Sequence, residues 1–117
     1  MKLAVNRIIY FTNQMKTMTA FYRDVIGLSP IDDPDGDPSD FLEFDAGTST
    51  IALHKGSPGI SASRNKIVFQ SDDVEKAREG LINRGVRMGK LKLGEVWHLC
   101  DGKDPEGNIF GLYEPPE

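Results

Sequence analysis

Two cationic residues, Arg7 and Lys66, occupy matching positions in two similar segments of the chain. If both side chains point into one cavity, their charges repel strongly unless an anion lies between them. The pattern therefore suggests binding of a small organic molecule that carries a carboxylate or a phosphate. The alternative is that each cation pairs with an acidic side chain, such as Glu43 or Glu114, or extends into solvent.

The two histidines, His54 and His98, are the next candidates for chemistry. His54 could bond a ligand, act as a general base or hold a metal, and the alternative is a partly buried ring satisfied by a neighbour. His54, His98 and a carboxylate such as Glu43 or Glu114 would make a credible metal site if they converged, but the spacing does not show that they do. Cys100 follows His98 by two residues, so a thiolate–imidazole pair is sterically allowed, although a buried structural thiol is the commoner state.

Two aromatic residues, Trp97 and Tyr113, lie in predicted strands that could line a cavity, where aromatic rings stack on flat ligands. The predicted ligand-binding residues are Arg7, His54, Lys66, Trp97, His98 and Tyr113. We assign no catalytic residue, no metal and no cofactor.

These residues belong to two copies of one strand–helix–strands pattern. In the first copy we expect a strand at residues 7–11, a helix capped by Asn13 and ended by Gly27, and strands at 41–45 and 50–54. The helix is indicated by apolar residues spaced by three and four, which fall on one face: Met15, Met18, Phe21, Tyr22, Val25 and Ile26.

In the second copy we expect strands at 66–70, 95–100 and 108–113, with a further short strand within 90–94. The helix between the first two of these strands is capped by Asp72, with Glu75 at the spacing of a capping box, and Gly85 ends it. Its buried face is formed by Val74, Ala77, Leu81 and Ile82.

The repeat has an offset of 59 residues at its first and last strands, whereas the helix-ending glycines Gly27 and Gly85 are 58 apart and the middle strands need further small gaps. This offset relates Arg7 to Lys66, Ala52 to Gly111, and His54 to Tyr113, and it aligns Ile8-Ile9-Tyr10 with Ile67-Val68-Phe69. Each copy alone exposes one apolar sheet face, and two paired sheets would enclose a concave space of the kind that holds ligands. We therefore predict one domain over 1–117, with module one at about 3–55, a linker at about 56–65 and module two at about 66–115.

Composition excludes several classes of function. The chain has 117 residues and a net charge of −4, which supplies no surplus of positive charge for a nucleic-acid backbone. No window approaches the apolar length of a membrane span, and the single cysteine suits a reducing compartment, so we expect a cytoplasmic protein.

A chain of this size exposes an apolar cleft more easily as a homodimer, which we also expect. The acidic loop at 30–40 does not follow the EF-hand template and is interpreted as solvated.

Three stretches of sequence resemble the vicinal oxygen chelate superfamily, which contains glyoxalase I, bleomycin-resistance proteins and extradiol dioxygenases. They are Arg7-Ile-Ile-Tyr-Phe, Phe21-Tyr-Arg-Asp-Val-Ile-Gly-Leu28, and Asp104-Pro-Glu-Gly-Asn108 leading into Leu112-Tyr-Glu-Pro115. The resemblance runs from about residue 5 to residue 115. It implies an α+β fold of two tandem βαβββ modules, with sheets curled around a cavity, and a homodimer.

The resemblance also implies where a metal would bind, and this sequence departs from the family there. Metal-dependent members use a His on the first strand and typically a Glu on the last strand of each module, and the metal acts as a Lewis acid. The matching residues are Arg7, Lys66, Ala52 and Gly111, none of which is a normal metal ligand.

Three interpretations of function follow from this departure. The first is a metal-free protein that binds a small organic molecule, with Arg7 and Lys66 arguing against a cationic antibiotic. The second is a lyase- or dioxygenase-like enzyme that uses a relocated metal or an acid–base pair drawn from His54, His98 and Glu114. The third is an interaction module whose cavity is filled by side chains.

Overall fold

The computed structural model of the chain describes residues 1–57, 59–95 and 98–116. Contacts divide it into two compact units, the first covering Met1–Ser61 and the second beginning at Ala62. Each unit contains one helical segment and one open four-stranded sheet. The predicted α+β fold of two tandem βαβββ modules is confirmed.

The first unit begins with a strand and a helix. Its elements are β1 (Arg7–Thr12), α1 (Met15–Ala20), a π-helical continuation (Phe21–Ile26), β2 (Ser29–Pro30), β3 (Phe41–Asp45) and β4 (Thr50–Lys55). The strand order is β1-β4-β3-β2, in which β1 runs parallel to β4 and the other pairs are antiparallel. Gly27 ends the helical segment at φ 90°, a left-handed conformation that glycine adopts without steric cost.

Strand alternation gives this sheet one covered and one open face. In β1, Tyr10 and Thr12 are buried whereas Arg7, Ile9 and Phe11 are exposed. The buried residues share the core with the largest side chains of α1 and its continuation and with the middle strands: Met18, Tyr22, Phe44, Ile51 and Leu53. The other set forms what we call the first open face, which includes Arg7, Ile9, Phe11, Phe41, Glu43, Thr50, Ala52 and His54.

The second unit repeats this order. Its elements are β5 (Ile67–Gln70), α2 (Val74–Asn83), β6 (Lys92–Leu93), β7 (His98–Lys103) and β8 (Ile109–Glu114), with the strand order β5-β8-β7-β6. The core between the helix and the sheet contains Val74, Leu81, Cys100, Phe110 and Leu112. The second open face comprises Lys66, Val68, Leu99, Asp101, Gly111 and Tyr113, by the same alternation.

Both predicted helix caps are wrong by one residue. The N-cap of α2 is Asp73, whose carboxylate accepts from the Lys76 backbone N–H at 3.0 Å, so Asp72 and Glu75 form no capping box. The N-cap of α1 is Gln14, and Asn13 instead donates its side-chain amide to the carbonyl of Ser57 at 2.6 Å. At α2 the neighbouring aspartate makes the cap, whereas at α1 Asn13 is engaged with Ser57 and Gln14 makes no side-chain cap hydrogen bond.

Strand β2 was not predicted, because the Ser-Pro pair and the acidic residues after it have the composition of a loop. Its pairing is nevertheless extended by the Ile31 backbone N–H, which donates to the carbonyl of Glu43 at 2.8 Å. In the described part of the chain, no helix is both long and apolar enough to cross a membrane.

Candidate functional site

The first open face contains an ion pair that crosses the middle of the sheet. Arg7 on β1 donates from Nε to Oε2 of Glu43 at 2.7 Å and from Nη2 to Oε1 at 3.4 Å. Strand β4 lies between β1 and β3, so the arginine side chain must pass over β4 to reach its partner. Residue Ala52 of β4 stands directly opposite Glu43, is 0% exposed, and has a side chain short enough to allow this crossing.

The carboxylate of Glu43 is held by two donors. Besides Arg7, the hydroxyl of Thr50 donates to Oε2. The hydrogen bond from Arg7 and then that from Thr50 lower the pKa of Glu43 below its ordinary value of 4.5. Glu43 is therefore ionised at neutral pH, and its charge compensates that of Arg7.

The second open face contains an equivalent ion pair. The ammonium of Lys66 lies 3.1 Å and 3.2 Å from the two carboxylate oxygens of Asp101. Between them stands Gly111 on β8, opposite both Asp101 and Val68. A Cβ atom at Gly111 would lie 3.2 Å from Asp101 Oδ1 and 3.7 Å from Lys66 Cε, so the absence of a side chain leaves room for the pair.

Both cations, Arg7 and Lys66, have acidic partners within their own units. The alternative of an acidic partner is confirmed, with Glu43 as the partner of Arg7 and Asp101, rather than Glu114, as the partner of Lys66. Because each charge is compensated within its own unit, no external anion is needed to relieve repulsion. The four positions at which the sequence resemblance implies a metal thus carry two engaged cations, an alanine and a glycine, and they do not fit a metal ion.

Three rings form an aromatic group on the first open face: Phe11, Phe41 and His54. The His54 ring centroid lies 5.3 Å from that of Phe11 and 5.7 Å from that of Phe41, with the second pair edge-to-face. The Arg7 guanidinium carbon is 5.7 Å from the Phe41 centroid, within cation–π range. Phe11 remains 53% exposed, so the group presents part of its π surface to solvent.

The orientation of His54 follows from one hydrogen bond. Its Nδ1 lies 2.8 Å from the carbonyl oxygen of Lys55, which can only accept, so Nδ1 carries the proton. Nε2 makes no hydrogen bond to any residue in the described ranges. It is thus available to a ligand as an acceptor.

A pocket of about 200 Å³ adjoins the aromatic group at Phe41. Its apolar walls include Pro30 and Ile31, and its acidic rim includes Asp32 and Asp33 of the loop before β3. The loop that was interpreted as solvated therefore also forms one wall of this pocket.

The second histidine does not join the first. His98 belongs to the other unit, where its Nε2 lies 4.0 Å from Oε2 of Glu114. The other carboxylate oxygen of Glu114 accepts from the Val74 N–H at the start of α2, so this pair serves the helix side of the sheet. Among the described residues, no group of three or more His, Cys, Asp or Glu side chains is placed to hold a metal.

Two further predicted residues, Cys100 and Tyr113, lie within the second unit. Cys100 is fully buried, its thiol donates to the carbonyl of Gly89 at 3.3 Å, and burial raises its pKa above the ordinary 9.0. It is a protonated thiol at neutral pH rather than a nucleophile. Tyr113 is half-buried on the second open face, opposite Leu99. Trp97 lies outside the described residues.

Sequence reasoning missed Phe11, Phe41 and Asp101. The alternation of β1 could have indicated Phe11, because it is four residues beyond Arg7 and thus on the same face. Phe41 and Asp101 could not be placed without knowing which strands are neighbours.

Comparisons with known structures agree on the fold. An antibiotic binding protein, TnmS3 from Streptomyces sp. CB03234, matches with a TM-score of 0.82 and 20% identity, covering 97% of each chain. A lactoylglutathione lyase from Agrobacterium tumefaciens gives 0.76 and 18%, covering 95% of this chain and 92% of its own. A family enzyme from Burkholderia phytofirmans PsJN gives 0.76 and 23%, covering 94% and 97%.

No curated protein sequence matches the chain significantly. The family model named Glyoxalase/Bleomycin resistance protein/Dioxygenase superfamily matches residues 4–112, nearly the whole length. The resemblance seen in the sequence motifs is confirmed, and the chain belongs to the glyoxalase/bleomycin resistance protein/dioxygenase superfamily.

Proposed function

We propose that this protein binds a small, flat organic molecule against the aromatic group Phe11, Phe41 and His54. The observation that carries the proposal is the packing of three rings whose outermost member, Phe11, is 53% exposed. Exposed aromatic residues on a rigid sheet offer stacking area at low entropic cost. That one neighbouring fold is an antibiotic binding protein supports the binding of a small molecule.

The ion pair between Arg7 and Glu43 holds Arg7 beside the aromatic group. Because the two charges compensate each other, the pair does not require an anionic ligand. Arg7 is held over the Phe41 ring by Glu43, which keeps both groups in one arrangement. A ligand with an anionic group could still approach the guanidinium, but its charge would meet a pair whose net charge is zero. We therefore place ring stacking first and anion binding second.

The alternative of an enzyme rests on one residue. His54 is the base on the first open face, and its Nε2 is the atom that could accept a proton from a bound substrate. Of the other residues considered for acid–base work, His98 faces Glu114, and Glu114 accepts from the Val74 N–H at the start of α2. If the His54→Gln variant still bound a substrate but no longer converted it, that result would favour the enzyme alternative.

We also propose a homodimer in the cytoplasm. Large apolar side chains such as Leu3, Val5 and Leu93 are more than 60% exposed, and a partner subunit would cover some of this area. Multi-angle light scattering should give twice the mass of the chain.

The binding proposal is tested with pairs of compounds that differ only in flatness. Naphthalene derivatives would be compared with their fully saturated decalin analogues in a thermal-unfolding screen. We expect flat members to raise the melting temperature and saturated members to have little effect. Equal shifts for both members of each pair would contradict stacking.

A further inference from the structure

We propose a second binding site, in the second unit, for a small organic acid with an apolar body. The site is a pocket of about 320 Å³ whose walls belong to the segment after α2 and to strands β7 and β8. Its volume lies at the lower end of the range of ligand pockets, which suits a compact molecule.

The walls of this pocket are largely apolar. Met88, Gly102 and Ile109 contribute the apolar surface. Gly102 is buried, and a Cβ atom at this position would lie 2.5 Å from Met88 Sδ and 2.8 Å from Phe110 Cζ, so the absence of a side chain lets Met88 pack directly on β7 and form the wall. The apolar part of a ligand would therefore meet the side chains of Met88 and Ile109.

The charged groups at the pocket are positive. Arg87 and Lys103 both line it, both are exposed, and neither side chain forms an ion pair or hydrogen bond with any residue in the described part of the chain. The carboxylate that also lines the pocket, Asp101, is already bound by Lys66 through both oxygens. An entering anion would thus meet two uncompensated cations and one compensated carboxylate.

The corresponding place in the first unit has the opposite charge, which makes the basic pair a feature of this pocket rather than of the fold. Gly89 donates its backbone N–H to the carbonyl of Asp101 at 2.7 Å, as Ile31 does to Glu43 at 2.8 Å. The pocket beside Ile31 is rimmed by Asp32 and Asp33. Two equivalent segments therefore border one acidic and one basic pocket.

The ligand class follows from this combination. A carboxylate or phosphate on the ligand would be bound by Arg87 and Lys103, and a ring or short alkyl chain would lie on Met88 and Ile109. Arginine can bind such a group through two parallel hydrogen bonds, whereas lysine acts as a point charge.

The test uses nuclear magnetic resonance of the ¹⁵N-labelled full chain titrated with three probes. These are 2-naphthoate, the neutral analogue 2-naphthylmethanol with the same ring, and inorganic phosphate. We expect naphthoate to shift the amide signals of Gly89, Gly102 and Lys103. We also expect it to bind about tenfold or more tightly than either of the other probes.

Paired variants then separate a site from general charge attraction. Arg87→Gln with Lys103→Gln should weaken naphthoate binding by about tenfold or more. The control Lys90→Gln with Lys92→Gln removes the same charge from exposed residues of the same unit outside the pocket, and it should leave the affinity unchanged. Retention of the other amide signals in both variants shows that each is folded.

Several results would overturn the proposal. Equal losses in the two paired variants would reduce the effect to net charge. Equal affinity for naphthylmethanol would remove the anionic group from the ligand class, and equal affinity for phosphate would remove the apolar body. An absence of shifts at Gly89 and Gly102 would show that naphthoate does not bind this pocket, and shifts confined to Phe11, Phe41 and His54 would assign it to the aromatic group.

Discussion

Arg7 and Glu43 meet across strand β4, with Nε and Oε2 2.7 Å apart. An equivalent pair, Lys66 and Asp101, crosses β8 in the second unit. In each unit the residue of the crossed strand that faces the pair is small, Ala52 in one and Gly111 in the other. The positions that would hold a metal in other members of the superfamily are thus committed to two compensated ion pairs.

The first prediction concerns the pH dependence of the Arg7–Glu43 pair. Because the folded pKa of Glu43 is lowered, its contribution to stability is present above the unfolded pKa of about 4.5 and is lost as the pH falls through the lower folded value. Glu43→Gln should therefore reduce the free energy of unfolding at pH 7 by about 1 kcal/mol or less, since the pair is partly exposed. The difference should shrink towards pH 3 in urea unfolding.

The exposed Asp32→Asn change is the control for this experiment, since it removes a carboxylate of the same unit that accepts no hydrogen bond within the described ranges. A Glu43→Gln effect that stayed constant from pH 7 to pH 3 would show that the ionised pair is not its source.

The second prediction compares two glycines. Gly111→Ala places a Cβ atom 3.2 Å from Asp101 Oδ1, so it should push the Lys66–Asp101 pair apart and lower stability by about 1 kcal/mol or more. Gly80→Ala, inside α2 with no atom within 4 Å of the new Cβ, should instead raise stability by about 1 kcal/mol. Chemical denaturation measures both, and a stabilising Gly111→Ala would contradict the role assigned to that glycine.

The third prediction concerns the start of α2. Asp73→Ala removes the carboxylate that accepts from Lys76 N–H and should cost about 1 kcal/mol of unfolding free energy. Asp72→Ala, one residue earlier, should change stability by only a few tenths of a kcal/mol, as is usual for an exposed residue outside the cap. A larger loss of stability in Asp72→Ala than in Asp73→Ala would indicate that Asp72 is the N-cap.

The fourth prediction concerns the buried thiol. Burial raises the folded pKa of Cys100 above the ordinary 9.0, so the thiol should react slowly with Ellman's reagent at pH 8 and quickly in denaturant. The raised pKa of Cys100 also stabilises the folded state. This contribution is present below the unfolded pKa of about 9 and is lost as the pH rises through the folded pKa. Rapid reaction of the native protein at pH 8 would show that Cys100 is accessible and activated.

The repeat made much of the fold predictable. Runs such as Ile8-Ile9-Tyr10 and Ile67-Val68-Phe69 carry strand propensity, and Gly27 and Gly85 mark where the helical segments end. The partners of residues distant in sequence could not be derived in the same way. Glu43 lies 36 residues from Arg7 and Asp101 lies 35 from Lys66, and only the strand order places them together.

The candidate site was predictable only in part. Arg7, His54, Lys66 and Tyr113 do lie on the open faces of the two sheets, whereas His98 serves the helix side. The aromatic group depends on neighbours across strands, since Phe11 and Phe41 approach His54 from β1 and β3 on either side of β4. Alternation within one strand indicates a face, but it does not indicate which residues of other strands share that face.

Binding on the aromatic group is tested most directly by measuring the affinity for a flat ligand in two variants whose substituted side chains are equally exposed. Phe11 and Val68 are each 53% exposed, Phe11 on the first open face and Val68 on the second. Isothermal titration with the best flat compound from the screen would compare Phe11→Leu, which removes the ring, with Val68→Ala. We expect Phe11→Leu to weaken binding by about tenfold, in line with the free energy of one aromatic stack, and Val68→Ala to leave it unchanged. Unchanged affinity in Phe11→Leu, or an equal loss in both variants, would contradict a binding site on the aromatic group.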